Sequence, residues 1–271
     1  MLDKLKALLP HKLRAFSIHF LISLAIFAVL LFLILFHWYP MPWFPIDGGW
    51  QGVRIMIGVD LVLGPVLTFI IFNPAKGRRE LTLDFSLIAL IQLSALAWGI
   101  HLVHGQRPLA IVHWDGSFRS VDSKSPGFKD YPIEKLKAFG EDWPVIVFQQ
   151  DPDSEERKVE MAVAIFANDQ AEYEHPDLYR PLQPHLPEVF AGALDIDELR
   201  RRAPDMAGKL DRLLQRRNLT PADVHLIPFD GRYQQATLVL TATGEVIGHL
   251  PHLRLPKRGD ISPAPESQGR S

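Results

Sequence analysis

The sequence predicts a membrane-embedded helical unit of three spans followed by an α+β domain with a mainly antiparallel sheet. Three observations lead there. Apolar runs of roughly 20 residues crowd into the first hundred positions. The segments around those runs alternate between basic ones and one without Lys or Arg. From residue 105 onward the pattern changes to short β-branched segments broken by turn residues.

The first run, 18–36, has 19 residues without a formal charge, enough to cross a hydrocarbon core of ~30 Å. Residues 1–17 form a basic leader with Lys4, Lys6, Lys12 and Arg14. The run ends in His37-Trp38-Tyr39-Pro40, which is no small-residue cleavage site, so it reads as an anchor and not as a cleaved signal peptide. The second span, about 53–72, contains Asp60. The third, about 83–103, opens near Asp84 and carries Gln92. Together, residues 18–104 make the three-helix unit.

Loop charges orient the spans. The leader is basic, and Lys76, Arg78 and Arg79 lie between spans two and three, whereas 37–52 has no Lys or Arg. Retained basic loops mark the cytoplasmic side, so the N-terminus is expected inside and residues from 105 outside. Trp38, Tyr39, Trp43 and Trp50 then fall at the outer headgroup level. In a Gram-negative cell this means an inner-membrane protein with a periplasmic domain over 105–255.

Within that domain, segments 108–114 and 117–121 flank Asp115-Gly116 and read as a hairpin. A short helix is expected at 133–139, and strands at 145–149 and 159–167, separated by an acidic loop at 151–156. The Pro-rich stretch 169–190 reads as irregular. Helices follow at 196–202 and 204–217, the second with Leu210, Leu213 and Leu214 on one face and Asn218 as its cap. Thr220-Pro221 opens a helical turn. Strands at 224–229, 233–241 and 246–250 complete the domain, and the polar tail 256–271 is expected to be disordered.

Composition narrows the functional classes. The chain carries a net charge of −2, yet residues 1–104 hold eight Lys and Arg against five Asp and Glu, and 105–271 hold 21 against 26. An acidic outer part lacks the basic stripe that nucleic acid requires. Cysteine is absent, which excludes disulfides, thiolate nucleophiles and Cys-ligated metals. Neither HExxH, G-x-S-x-G, a P-loop nor a Rossmann fingerprint occurs, so no catalytic residue, metal site or cofactor is expected.

Asp60 is the foremost candidate residue. A carboxylate within a span costs about 2.5–3.5 kcal/mol on insertion scales, and it normally faces protein or water. Gly64 and Thr68 follow at i+4 and i+8, a small polar stripe where a helix can approach closely. Pro65 frees the carbonyl of Leu61. Three readings stay open: pairing with Gln92, Ser94 or Trp98 of span three, contact with a partner's helix, or proton or ion handling. Gln92, Ala95 and Gly99 form a comparable stripe on span three. Asp84 reads as a cap and a local ion pair near Arg78 and Arg79.

Residues 48–65 (GGWQGVRIMIGVDLVLGP), Leu67-Thr68, Ile71-Phe72-Asn73-Pro74 and Arg78-Arg79-Glu80-Leu81 resemble the TfpX/TfpZ family of type IV pilin accessory proteins. So do 84–92 (DFSLIALIQ), Gln106-Arg107-Pro108, 174–181 (EHPDLYRP) and 226–232 (LIPFDGR). The resemblance implies a non-enzymatic inner-membrane protein that helps its cognate type IV pilin reach the surface as assembled pilus. Its implied partners are that pilin and other inner-membrane assembly components, besides the lipid bilayer. The partner-contact candidates are Asp60, Gly64, Pro65, Thr68 and Gln92. The alternative from another class is a membrane-anchored periplasmic sensory or ligand-binding module acting with a separate output protein.

Overall fold

The structure is a computed structural model that describes residues 2–253 and 255, with side chains from residue 8 onward. The tail expected over 256–271 and the side chains of Lys4 and Lys6 lie outside the described residues. The chain divides into two compact units, which meet in sequence between Arg107 and Pro108.

In the first unit, helix α1 (Leu2–Leu33) runs into a wider π turn at Ile34–Trp38, closed by the Tyr39 N–H on the Ile34 carbonyl at 2.7 Å. The short α2 (Trp43–Ile46) leads to α3 (Gly49–Met56), a π segment (Ile57–Leu63) and α4 (Gly64–Ile71). These last three pieces form one rod. Pro65 cannot donate to Leu61, and the widened turn before it accommodates the break: the Gly64 N–H reaches back five residues to the Val59 carbonyl. Helix α5 (Arg78–Gly105) completes the unit.

Three helical stretches, Leu8–Trp38, Gly49–Ile71 and Arg78–Gly105, are long and apolar enough to cross a membrane. Large side chains such as Leu21, Val29, Ile55, Ile70, Leu90 and Trp98 stand exposed along them, as hydrocarbon-facing helices require. A small core of Leu30, Ile34, Tyr39, Phe44, Val53, Met56 and Val103 joins them toward one end. Gly52 permits the close approach of α5 there, since a Cβ at Gly52 would lie 2.5 Å from Val103 Cγ2. The Tyr39 hydroxyl donates to the Val103 carbonyl at 3.1 Å.

The second unit is an α+β domain built on a seven-stranded sheet in the order β4-β3-β1-β2-β5-β6-β7. Its strands are β1 (Pro108–Trp114), β2 (Ser117–Asp122), β3 (Val145–Gln149), β4 (Tyr179–Pro181), β5 (Val224–Asp230), β6 (Gln235–Thr241) and β7 (Val246–Pro251). The β1–β2 hairpin turns at Asp115 and Gly116, both at positive φ, the twist-compatible geometry of a two-residue loop.

The sheet is mixed, which corrects the expectation of a mainly antiparallel one. Four pairings are antiparallel, but β1–β3 and β2–β5 are parallel. Parallel neighbours need crossover connections, and both arise that way. The link 123–144 buries Phe128 and Leu136 in the core around β1 and β3, so the chain crosses back before β3 begins. The short β2–β5 joint is held by ion pairs Arg119–Asp230 (3.0 Å) and Arg232–Asp122.

A second correction concerns residues 159–167, expected as a strand. They belong to helix α6 (Glu155–Asn168). Ser154 accepts the Arg157 N–H at 3.2 Å, and Glu155 and Glu156 occupy the first turn, where negative charge suits the helix dipole. The acidic stretch thus starts a helix instead of separating two strands. The 169–190 segment is more ordered than expected: besides 3-10 turns it contributes β4 and helix α7 (Leu186–Ala191). Helices α8 (Ile196–Arg202) and α9 (Pro204–Arg217) cover β5–β7 through Leu199, Leu210 and Leu214.

Candidate functional site: a polar seam inside the helical unit

The polar residues of the apolar helices converge. Lys12, His19 and Ser23 of α1 lie at i, i+7 and i+11, one stripe on a helix. That stripe meets Asp60, Gly64 and Thr68 of the second rod. His19 Nδ1 and Thr68 Oγ1 are 2.6 Å apart, and His19 shares a cavity wall with Gln92 of α5. Thr68 is 1% exposed and Asp60 6% exposed, so these two are enclosed by the helices, while His19 and Gln92 are half-buried.

Gly64 is where α5 comes closest. A Cβ there would lie 1.7 Å from Gln92 Nε2, so the Gln92 amide rests directly over the glycine. Pro65 is buried beside it. Asp60 opens into a cavity of about 160 Å3 lined also by His19, Ser23 and Gln92, with room for a few water molecules. At the far end of α4, Lys12 Nζ donates to the carbonyls of Phe69 and Ile70, both at 3.0 Å. These are orphan acceptors of a helix C-terminus, and an ammonium there also suits the dipole.

Of the candidates, Asp60, Gly64, Thr68 and Gln92 therefore share one seam, with Pro65 shaping the rod beside it. Ser94 and Trp98, considered as partners of Asp60, are exposed on α5 and lie outside the cavity; Gln92 alone of the three lines it. Ala95 is exposed, and a Cβ at Gly99 would meet nothing within 4 Å, so the stripe on span three ends at Gln92. Asp84 pairs with Lys76 at 2.5 Å, not with Arg78 or Arg79. His19 and Ser23 escaped the sequence reading, and Lys12 was read only as part of the basic leader; their helical spacing was the available signal.

Chemically the seam is a hydrogen-bonding clasp. Polar groups in a low-dielectric bundle fix which helix faces meet, because an unmade bond there is costly. Among the described residues no cluster of three or more His, Cys, Asp or Glu could hold a metal ion.

The second unit has a polar cleft of about 1050 Å3 lined by Lys124, Tyr131, Arg157, His175 and Asp177 among others. Burial pushes the His175 imidazole below its usual range and the neighbouring Glu174 carboxyl above its own. Polar groups of Ser125, Ala171 and Gly127 beside the Glu174 carboxyl partly offset that rise. Charge in the cleft is mixed, and Arg157 is engaged by Glu160 and Asp177.

Comparison with known proteins places this architecture. The family model of fimbrial assembly protein FimB matches residues 8–48. The chain is 46% identical over 96 residues to a fimbrial assembly protein, serogroups C1 and C2, of Dichelobacter nodosus, covering 73% of that relative and 35% of this chain. The chain belongs to the fimbrial assembly protein FimB family. Two longer fimbrial assembly proteins from the same organism, of serogroups I and E1, are 46% and 44% identical over 96 residues, 37% of each. The matched region is thus little more than a third of those relatives' length. No solved structure matches this FimB-family chain.

Proposed function

We propose that this chain is a non-enzymatic inner-membrane accessory protein that promotes assembly or surface display of a cognate type IV pilin. The observation that carries the reading is the 46% identity to a relative described as a fimbrial assembly protein, over 73% of that relative. The TfpX/TfpZ resemblance of the second span points to the same process.

The proposed topology has three spans, a cytoplasmic N-terminus and a periplasmic second unit. The basic residues support it. Lys12 bonds the last carbonyls of α4, so the start of α1 and the end of α4 lie at one end of the bundle, next to the loop that holds Lys76, Arg78 and Arg79. The bundle would pack beside the pilin stem and the outer domain beside its head, together with other inner-membrane assembly components. In this reading the seam of Asp60, Gly64, Pro65, Thr68 and Gln92 sets the shape of the contact surface. Gln92, like its neighbour His19, lines both the inner cavity and an outer groove, which puts it within a partner's reach.

Deleting the gene is expected to lower surface pili while total pilin stays near wild type, read by shear preparations against whole-cell immunoblots. Unchanged surface piliation would remove the proposal.

A further inference from the structure

Helices α1 and α5 each pack on α4, and between them runs an open groove of about 560 Å3. Its walls are apolar, with Ile18 and Ile22 on one side and Phe85 and Ile88 on the other. At one end the wall changes character, to His11 and Arg14. The other end is floored by His19 and Gln92 of the seam.

We propose that this groove is a binding site for an anionic phospholipid, with an acyl chain along the apolar walls and the headgroup phosphate at Arg14 and His11. Three observations carry the assignment. Charge is the first: among the described residues Arg14 forms no ion pair, so its guanidinium is available to a phosphate oxygen, for which its planar fork is suited. Neighbouring Lys12 is already committed to the α4 carbonyls. Position is the second, since a basic pocket between spanning helices at their basic end is where anionic headgroups bind.

Length is the third and separates a lipid from a helix. From Arg14 to Ile22 the groove extends eight residues, ~12 Å at the helical rise. That is close to one leaflet of a ~30 Å hydrocarbon core, the reach of an acyl chain, and well short of a spanning helix. The site rests on the helices crossing a bilayer and not on the pilus role, so either can fail alone.

The test uses the full chain purified in mild detergent, incubated with equimolar phosphatidylglycerol and phosphatidylcholine, and weighed by native mass spectrometry. Wild type is expected to retain phosphatidylglycerol several-fold over phosphatidylcholine. Arg14→Ala should abolish that preference, and Ile18→Trp, which fills the groove, should lower retention of both lipids. Arg79→Ala, a basic residue outside the groove, should behave as wild type. Circular dichroism would verify helicity, and Arg14→Lys, which keeps the charge, should partly restore the preference if Ile18→Trp misfolds. Equal retention of both lipids by wild type, equal loss with Arg79→Ala, or an Arg14→Ala protein with full preference would overturn the site. So would displacement of the lipid by inorganic phosphate alone, or a co-purifying protein helix crosslinked to Ile18 in its place.

Discussion

Two glycines show how the same substitution has different consequences. A Cβ at Gly64 would meet the amide end of Gln92, a flexible side chain that can swing away. Gly64→Ala is therefore expected to cost about 1–2 kcal/mol, the low end of overpacking, through displacement of the Gln92 amide from the seam. A Cβ at Gly127 would lie 1.8 Å from the Glu174 backbone oxygen, which belongs to a packed loop and cannot yield without moving it. Gly127→Ala should cost at least about 3 kcal/mol. Urea unfolding of the full chain in micelles, with hydrogen exchange resolved by peptide, checks both; the reverse ranking would contradict these contacts. The spacing of Asp60, Gly64 and Thr68 made their common face legible in the sequence. His19 stayed hidden because it carries no formal charge and sits in a strongly apolar run. Its partner Thr68 is 49 positions away, and spacing within one helix says nothing about which face another helix meets.

At the level of elements, α6 is the instructive case. Val159, Val163 and Ile165 favour a strand by propensity, but that preference expresses packing on a pleated surface, and no sheet edge receives this segment. Local chemistry at Ser154, Glu155 and Glu156 starts a helix, and Asp169 in the left-handed region ends it. Ser154→Ala is expected to destabilise the start of α6 by about 1 kcal/mol and to speed exchange in its first turn, with the sheet unaffected. Slowed or unchanged exchange there would show that the cap does not hold the helix. Hairpins such as β1–β2 were readable because Asp115-Gly116 is a local signal. Parallel pairs such as β2–β5 were not, since Phe118 and Phe229 meet only after the intervening chain has folded.

Across the molecule, titration is expected to bear on the second unit. Burial holds His175 and His249 below the ordinary histidine value of about 6.5, so the unfolded chain binds more protons in that range. Their contribution is fully present above about pH 6.5 and is lost as acidification passes toward the folded values. Glu174 works in the opposite sense: its raised value favours the protonated folded form, and that contribution is lost as pH rises through it. Strand protection in the second unit, corrected for intrinsic exchange, should fall between pH 7.5 and 5.5, and His175→Gln should flatten the fall. A slope unchanged by that variant would point elsewhere. The contact between Lys12 and α4 bears on how the chain is made. A helix end near hydrocarbon has little water to satisfy its last carbonyls, and here the donor comes from a segment synthesised 57 residues earlier. That contact can therefore form only once both helices have been made and have come together. A first helix kept apart from the second would leave the end of α4 without these donors.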